Sequence, residues 1–238
     1  MKPAKMEYSN SAIMKLSTSQ ELYDAFNSFI FDPDTKVLGK LAARILLAER
    51  TRKVPGDIVE CGVFKGSGMA SWLKIKKLLF PNSVKKVIGF DFFDTQSLVK
   101  SLSGKDRDRM KELFEERNFE HDAGGQELIK KSLEAGGFTE ADFELVKGDI
   151  SKTAQEFVRE RPGFKISLLY LDLDVEEPTY ETLKALWPRV SKGGLVVFDE
   201  YAWHQWSEAI GADKFFADKD EKIEILDFLG PSAYVVKK

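Results

Sequence analysis

The 238-residue sequence lacks several things, and each shortage removes a class of protein. It has one cysteine, Cys61, so no intrachain disulfide can form, which suits a reducing compartment. No apolar run approaches the roughly 20 residues a membrane-spanning helix needs. Residues 1–10 are polar and lack the apolar centre of a secretory signal. The expectation is a cytoplasmic protein with no membrane partner. Neither sign of charge dominates: 36 Lys and Arg stand against 39 Asp and Glu, net −3, so no global field favours nucleic acid. The basic residues are scattered among acidic ones and read as a solvated surface. There is no internal repeat, no low-complexity tract and no P-loop.

What is present suffices for a folded α/β protein. An apolar share of 43% supports a real core, and 238 residues fit one large domain, with or without a lid. A helical pattern begins at Ser19, a suitable N-cap, carries Leu22, Phe26, Phe29 and Ile30, and breaks at Asp32-Pro33-Asp34. A second helix is expected over 35–52, with Val37, Leu41, Ile45 and Leu46 on one face. Strands are expected at 57–63, 85–93 and 143–149, with helices over 69–79 and 153–160. Residues 94–137 interrupt the rhythm: they are long, charged and glycine-containing, with two short helices near 107–117 and 126–135. Such an insertion reads as a lid or a substrate-contacting piece. A helix over 178–190, whose first turn suits Pro178, separates two further strands. A helix over 206–216 follows, and the apolar runs 223–229 and 233–236 close the chain as a hairpin. This order predicts a mostly parallel α/β sheet with helices on both faces and an antiparallel terminal hairpin. Phe26, Phe29, Phe31, Phe90, Phe92 and Phe93 are expected in the core, and Cys61 is expected to be an inert core thiol.

The chemistry concentrates in residues 166–201. One apolar run ends in Asp172-Leu173-Asp174 and the next in Asp199-Glu200. In a parallel sheet both ends face one edge, where α/β proteins bind ligands. Four carboxylates so close repel one another, and the plainest remedy is a bound divalent cation. The first strand leads into Glu60-Cys61-Gly62-Val63-Phe64-Lys65-Gly66-Ser67-Gly68, whose glycine spacing is not that of the dinucleotide motif. It suits a ligand approaching the backbone, or simply a tight turn. Asp91, ending the second strand, could accept from a ribose or stand as a solvated strand-end acid. Asp149 could meet an adenine or cap the following helix. His204, in the aromatic run 201–206, is a candidate base or a surface histidine, and His121 lies in the insertion.

A glycine turn after the first strand, an acid after the second and Gly148-Asp149 after the third resemble class I S-adenosylmethionine-dependent methyltransferases. Pro55-Gly56-Asp57-Ile58-Val59-Glu60-Cys61-Gly62-Val63 with Lys65-Gly66-Ser67 is similar to the macrocin O-methyltransferase family, the sugar methyltransferases of macrolide and related antibiotic pathways. Leu171-Asp172-Leu173-Asp174 and the Gly193-Gly194 strand ending in Asp199-Glu200 extend the likeness over roughly 37–216. Two departures are visible: that family usually has Asp-Asp at 199–200, and Tyr-Glu-Ser-Thr at 176–179. Val175 stands where metal-dependent catechol-type methyltransferases place a lysine, which argues against that branch.

The resemblance implies that Glu60, Gly62, Gly66, Ser67, Asp91, Asp149 and Asp172 line the S-adenosylmethionine site. It implies Asp172, Asp199 and Glu200 as Mg²⁺ ligands and Asp174 as general base; His204, just after the cluster in sequence, is the alternative base that the residues themselves offer. The chain's own pattern divides it into an N-terminal helical segment, 1–54, and a methyltransferase domain, 55–238, whose lid-like insertion at about 94–137 has no counterpart in the resemblance and would shape the acceptor pocket. The implied activity is Mg²⁺-dependent O-methylation of a sugar diol or sugar-bearing natural product, in a chain that forms a homodimer by family habit. A non-sugar acceptor, an inert S-adenosylmethionine-binding module and a nicotinamide-dependent oxidoreductase are the alternatives. The glycine spacing and terminal hairpin count against the last.

Overall fold

The computed structural model describes residues 19–116 and 125–238; the expectations for 1–18 and for His121 lie outside them. Five parallel strands form the centre of one sheet: β1 (Asp57–Cys61), β2 (Val87–Asp91), β3 (Phe143–Lys147), β4 (Ile166–Leu171) and β5 (Val190–Phe198). The last strands, β6 (Glu224–Ile225) and β7 (Ala233–Val236), pair antiparallel with each other, and β7 runs antiparallel to β5. The order is β3-β2-β1-β4-β5-β7-β6. The chain winds outward from β1 through β2 to β3, then returns to the other side of β1 with β4. That reversal opens a crevice at the carboxyl ends of β1 and β4.

Period-two alternation sends each central strand's side chains to two layers. Ile58, Leu168 and Tyr170 face a core with α2 (Lys36–Thr51), α3 (Ser67–Leu79) and α6 (Gly125–Ala135). Val59, Cys61, Leu169 and Leu171 face α7 (Ile150–Glu160), α8 (Glu176–Leu186) and α9 (Glu208–Phe216). On the first face Trp72 and Tyr170 meet edge to face at 5.7 Å, both fully buried. Cys61 is buried with its thiol pushed up by burial, as expected of an inert thiol. No helix among the described residues is long and apolar enough to cross a membrane.

Three differences from the sequence expectations have physical causes. The insertion holds a helix that the pattern hid, α4 (Thr95–Ser101), besides α5 (Gly104–Glu116) and α6. Its signal was the cap: Asp94 accepts from the N–H groups of Gln96 and Ser97. Second, α1 (Ser19–Phe31) buries none of its residues, so Phe26 and Phe31 are exposed rather than core, while Phe90 and Phe93 are buried as expected. Third, α2 presents the opposite face. Val37, Leu41, Ile45 and Leu46 point outward, and Ala43, Arg44, Leu47, Ala48 and Thr51 are buried. Ion pairing explains the rotation, because Lys36, Lys40 and Arg44 recur every four residues on the inward stripe and meet the acids at the strand ends.

Candidate active site

The parallel register brings the strand ends together through backbone bonds. The N–H of Asp172 donates to Cys61 O, and that of Asp199 to Leu171 O, each at 2.9 Å. Gly62 N–H reaches Phe90 O at 2.9 Å, and Gly148 N–H reaches Asp91 O at 2.9 Å. Every acid singled out in the sequence therefore lies along one edge.

On the cofactor side, Gly62 has φ 93°, and a Cβ there would lie 1.9 Å from Asp172 O. Only glycine lets β1 turn so close to β4. Gly66 stands at the N-terminus of α3 with Ser67 exposed as that helix's first residue. A Cβ on Gly68 would strike Glu60 Oε1 at 1.8 Å, so the helix start presses onto the Glu60 carboxyl. Glu60 is 1% exposed and takes Arg44 Nη2 at 3.2 Å on Oε1, while its buried Oε2 has no partner. An orphaned carboxylate oxygen beside a bare glycine turn fits a cationic ligand such as the amino and sulfonium groups of S-adenosylmethionine.

Two other expected cofactor residues are already engaged by their own loops. Asp91 accepts from Val63 and Phe64 N–H at 2.8 Å and from Phe93 N–H at 2.7 Å, bracing the glycine turn. Burial raises its pKa despite those three amides. Asp149 caps α7 by accepting from Ser151 N–H at 3.1 Å, and it pairs with Lys152 at 3.2 Å.

Burial pushes the Glu60 carboxyl up to about 7, Asp172 adds to this, and Arg44 opposes it. A carboxyl whose folded pKa lies above its ordinary 4.5 stabilises the fold fully below that value and loses the contribution as pH rises to about 7. Glu60→Gln should flatten this slope by on the order of 1–3 kcal/mol. Thermal midpoints of both proteins across that window test it; parallel curves would remove Glu60 as the titrating group.

The acceptor side holds Asp172, Asp174, Asp199 and Glu200, together with a fifth acid that the sequence pattern missed. Glu208, fully buried at the start of α9, accepts from Glu200 N–H at 3.0 Å and from Leu173 N–H at 3.4 Å. Burial and then Asp174 push it well above the carboxylate range. Its acidic place in a helix first turn was visible, but its partners lie on other segments. Burial, then Asp172, Glu200 and Asp199, raise Asp174 well above its usual value, and Asp174 sits at φ 64°. Asp172 is pushed up to about 6 by burial and then by Asp199, although a quarter of its side chain stays open to solvent, which tempers the first cause.

The negative charge is met from α2. Lys40 Nζ lies 2.6 Å from Asp199 Oδ2 and 3.3 Å from Asp172 Oδ2. Lys36 Nζ lies 3.2 Å from Glu200 Oε1 and 4.3 Å from the centre of the Trp203 ring. The Tyr170 hydroxyl, held protonated by burial and by Asp199, donates to Asp199 Oδ1. Burial lowers the Lys40 ammonium's pKa, and Asp172 and Asp199 more than reverse this, leaving it raised. Both oxygens of Asp199 and one each of Asp172 and Glu200 are thus engaged by the protein itself. Among the described residues no three His, Cys, Asp or Glu side chains converge on one cation position. The three carboxylates expected to bind magnesium share an edge, but in this arrangement they do not fit a magnesium ion.

The insertion closes over this side. Leu102, Met110 and Leu113 pack on Val175 and Trp206. Asp106 Oδ1 accepts from the Ser207 hydroxyl at 2.8 Å, and Arg109 lies 5.6 Å from the Trp206 ring centre. His204 is exposed in the turn before Trp206, and no hydrogen bond or ion pair among the described residues ties it to the acids.

The sheet order, the crevice and the antiparallel end define a class I methyltransferase fold. The macrocin O-methyltransferase (TylF) family model matches residues 38–230, and the chain belongs to that family. A curated relative from Streptomyces olivaceus, 8-demethyl-8-(2,3-dimethoxy-alpha-L-rhamnosyl)-tetracenomycin-C 4'-O-methyltransferase, is 28% identical over 161 residues, 66% of this chain. The match spans 57% of that relative's length. The crystal structure of a calicheamicin methyltransferase superposes with a TM-score of 0.73 at 25% identity, covering 93% of this chain and 86% of that one. The O-methyltransferase NovP shares the fold at a TM-score of 0.65 and 22% identity, covering 84% of this chain and 80% of that one.

Proposed function

We propose that this protein is an S-adenosylmethionine-dependent O-methyltransferase acting on a sugar hydroxyl. The observation that carries the reading is the junction at Gly62 and Asp172. There the glycine turn, with its orphaned Glu60 oxygen, abuts the acid-lined end of β4. The two halves of a group-transfer site thus share one backbone contact. When bound, the cofactor supplies an electrophilic methyl and a neutral leaving group. This chain's residues do the rest. Glu60 and the turn hold the cationic donor, and the strand-end edge aligns the acceptor oxygen for in-line attack. Asp174 takes the hydroxyl proton as the new O–C bond forms. Trp203, Trp206, Gln205 and Arg109 offer the aromatic and polar surface against which a sugar ring packs. His204 serves this surface rather than proton transfer, because it is exposed and apart from the acids.

The sugar assignment draws on the relatives. One is described as a tetracenomycin rhamnosyl 4'-O-methyltransferase, and a related crystal structure is described as a TDP-rhamnose 3'-O-methyltransferase at 25% identity. Labelled S-adenosylmethionine with a panel of hydroxylated acceptors tests the reading. Transfer to deoxysugar glycosides or nucleotide sugars is the expected result, whereas transfer only to non-sugar phenols or alcohols would reassign the acceptor. Nicotinamide rather than S-adenosylhomocysteine in the denatured protein's extract would remove the cofactor assignment. A homodimer remains part of the proposal. The exposed Leu22, Tyr23, Phe26 and Phe31 of α1 supply the apolar surface such a contact requires, and light scattering reads the mass directly.

A further inference from the structure

The acid cluster and the inward stripe of α2 belong to one device. We propose that the Lys40 ammonium holds Asp172 and Asp199 in place of a divalent cation, making α2 a positioning arm of a site that needs no metal. The inference rests on the methyltransferase reading for the role of the site, but its geometry stands independently of it.

Lys40 Nζ bridges two carboxylates from neighbouring strand ends, 2.6 Å from Asp199 Oδ2 and 3.3 Å from Asp172 Oδ2. A cation joining the ends of β4 and β5 would occupy that place. The other oxygen of Asp199 is committed to the Tyr170 hydroxyl, so the carboxylate cannot rotate to offer a second donor without breaking a buried hydrogen bond. Lys36 repeats the arrangement one turn earlier, at 3.2 Å from Glu200 Oε1, and Arg44 one turn later, at 3.2 Å from Glu60 Oε1. Successive helical turns thus serve successive strand-end acids. The arm is anchored from both sides. Arg44 lies over the rings of Trp72 and Tyr170, 5.5 and 5.0 Å from their centres. On the other side, a Cβ on Gly230 would come 3.3 Å from Lys40 Cε and 3.6 Å from Lys36 Cε, so the loop before β7 packs against both lysine stems.

Charge supports the same conclusion. Six acids (Glu60, Asp172, Asp174, Asp199, Glu200 and Glu208) face three fixed cations. A divalent ion placed among Asp172, Asp199 and Glu200 would sit within a few ångströms of two ammonium groups and would have to displace them. An ammonium also has three N–H donors. With one donated to Asp172 and the ammonium ion-paired to Asp199, a remaining N–H can hold an acceptor hydroxyl oxygen and so orient it.

The test uses the full chain, wild type and Lys40→Met, with Mn²⁺ binding followed by electron paramagnetic resonance and methyl transfer followed with and without EDTA. Wild type is expected to bind no stoichiometric Mn²⁺ and to keep its rate within about twofold in EDTA. Lys40→Met, freed of the bridging ammonium, is expected to lose at least about tenfold in rate and to take up one Mn²⁺ per chain. Lys40→Arg should keep metal-free transfer if a fixed cation is what the site needs, and it serves if the methionine variant does not fold. One Mn²⁺ bound per wild-type chain, or wild-type turnover abolished by EDTA and restored by Mg²⁺, would overturn the proposal. S-adenosylhomocysteine binding by calorimetry, measured alongside, separates these outcomes from failure of the methyltransferase reading itself. Metal uptake needs no turnover to be seen.

Discussion

Asp174→Asn is expected to lower kcat by about 10²–10⁴-fold while leaving S-adenosylhomocysteine affinity within about twofold, because it removes a proton acceptor and nothing from the cofactor side. The substitution suits the backbone. Asp174 lies at φ 64°, the left-handed region where most side chains clash with the following carbonyl, and asparagine tolerates it as aspartate does. Asp174→Ala would add a backbone penalty of about 1–2 kcal/mol and confuse the two effects. The amide also keeps the side chain's shape next to Val175, on which Met110 and Leu113 of α5 rest. Single-turnover transfer with a competent acceptor, paired with calorimetry, reads both quantities. A kcat within twofold of wild type would show that the proton goes elsewhere.

Gly62→Ala carries the second large effect, this time on stability. An added Cβ would fall 1.9 Å from Asp172 O and 2.9 Å from its carbonyl carbon, and these are backbone atoms of the neighbouring strand end that cannot swing aside. The positive φ costs about 1–2 kcal/mol and the overpacking about 1–3 kcal/mol, so a loss of roughly 2–5 kcal/mol is expected. Gly163→Ala is the control. Nothing lies within 4 Å of its added Cβ, and a change within about 0.5 kcal/mol is expected. Denaturant midpoints of the three proteins suffice. An unchanged midpoint for Gly62→Ala would mean that β1 and β4 do not approach as described. Because that approach also joins the cofactor side to the acid edge, residual folded Gly62→Ala should bind S-adenosylhomocysteine more weakly than Gly163→Ala.

Much of the site could be read from the chain alone. The strand ends carrying Glu60, Asp91, Asp172 and Asp199 were visible because an apolar run, a turn and a following helix are local patterns. Their convergence then follows from parallel pairing. The roles of Asp91 and Asp149 were not separable in this way. Bracing a turn and capping a helix use the same carboxylate, at the same position, as binding a ligand does. Tyr170 and Glu208 left no signal, since a tyrosine inside a strand and a glutamate opening a helix are commonplace until their partners are known.

The sequence by itself determined the α/β class, the terminal hairpin and the edge on which the acids gather. Each depends on periodicity and turn chemistry within a few residues. Only the tertiary structure decided how those acids are neutralised. Lys36 and Lys40, which read in the sequence as solvated surface, pair with Glu200 and Asp172 across 164 and 132 residues of chain. That pairing turns Val37, Leu41, Ile45 and Leu46 of α2 outward, Leu46 to 61% exposure, and leaves Leu47 as the one leucine of the helix in the core. The reason is energetic. A buried carboxylate without a cation is costlier than an exposed leucine, so the acids at the sheet edge, rather than the apolar stripe, set the rotation of the helix.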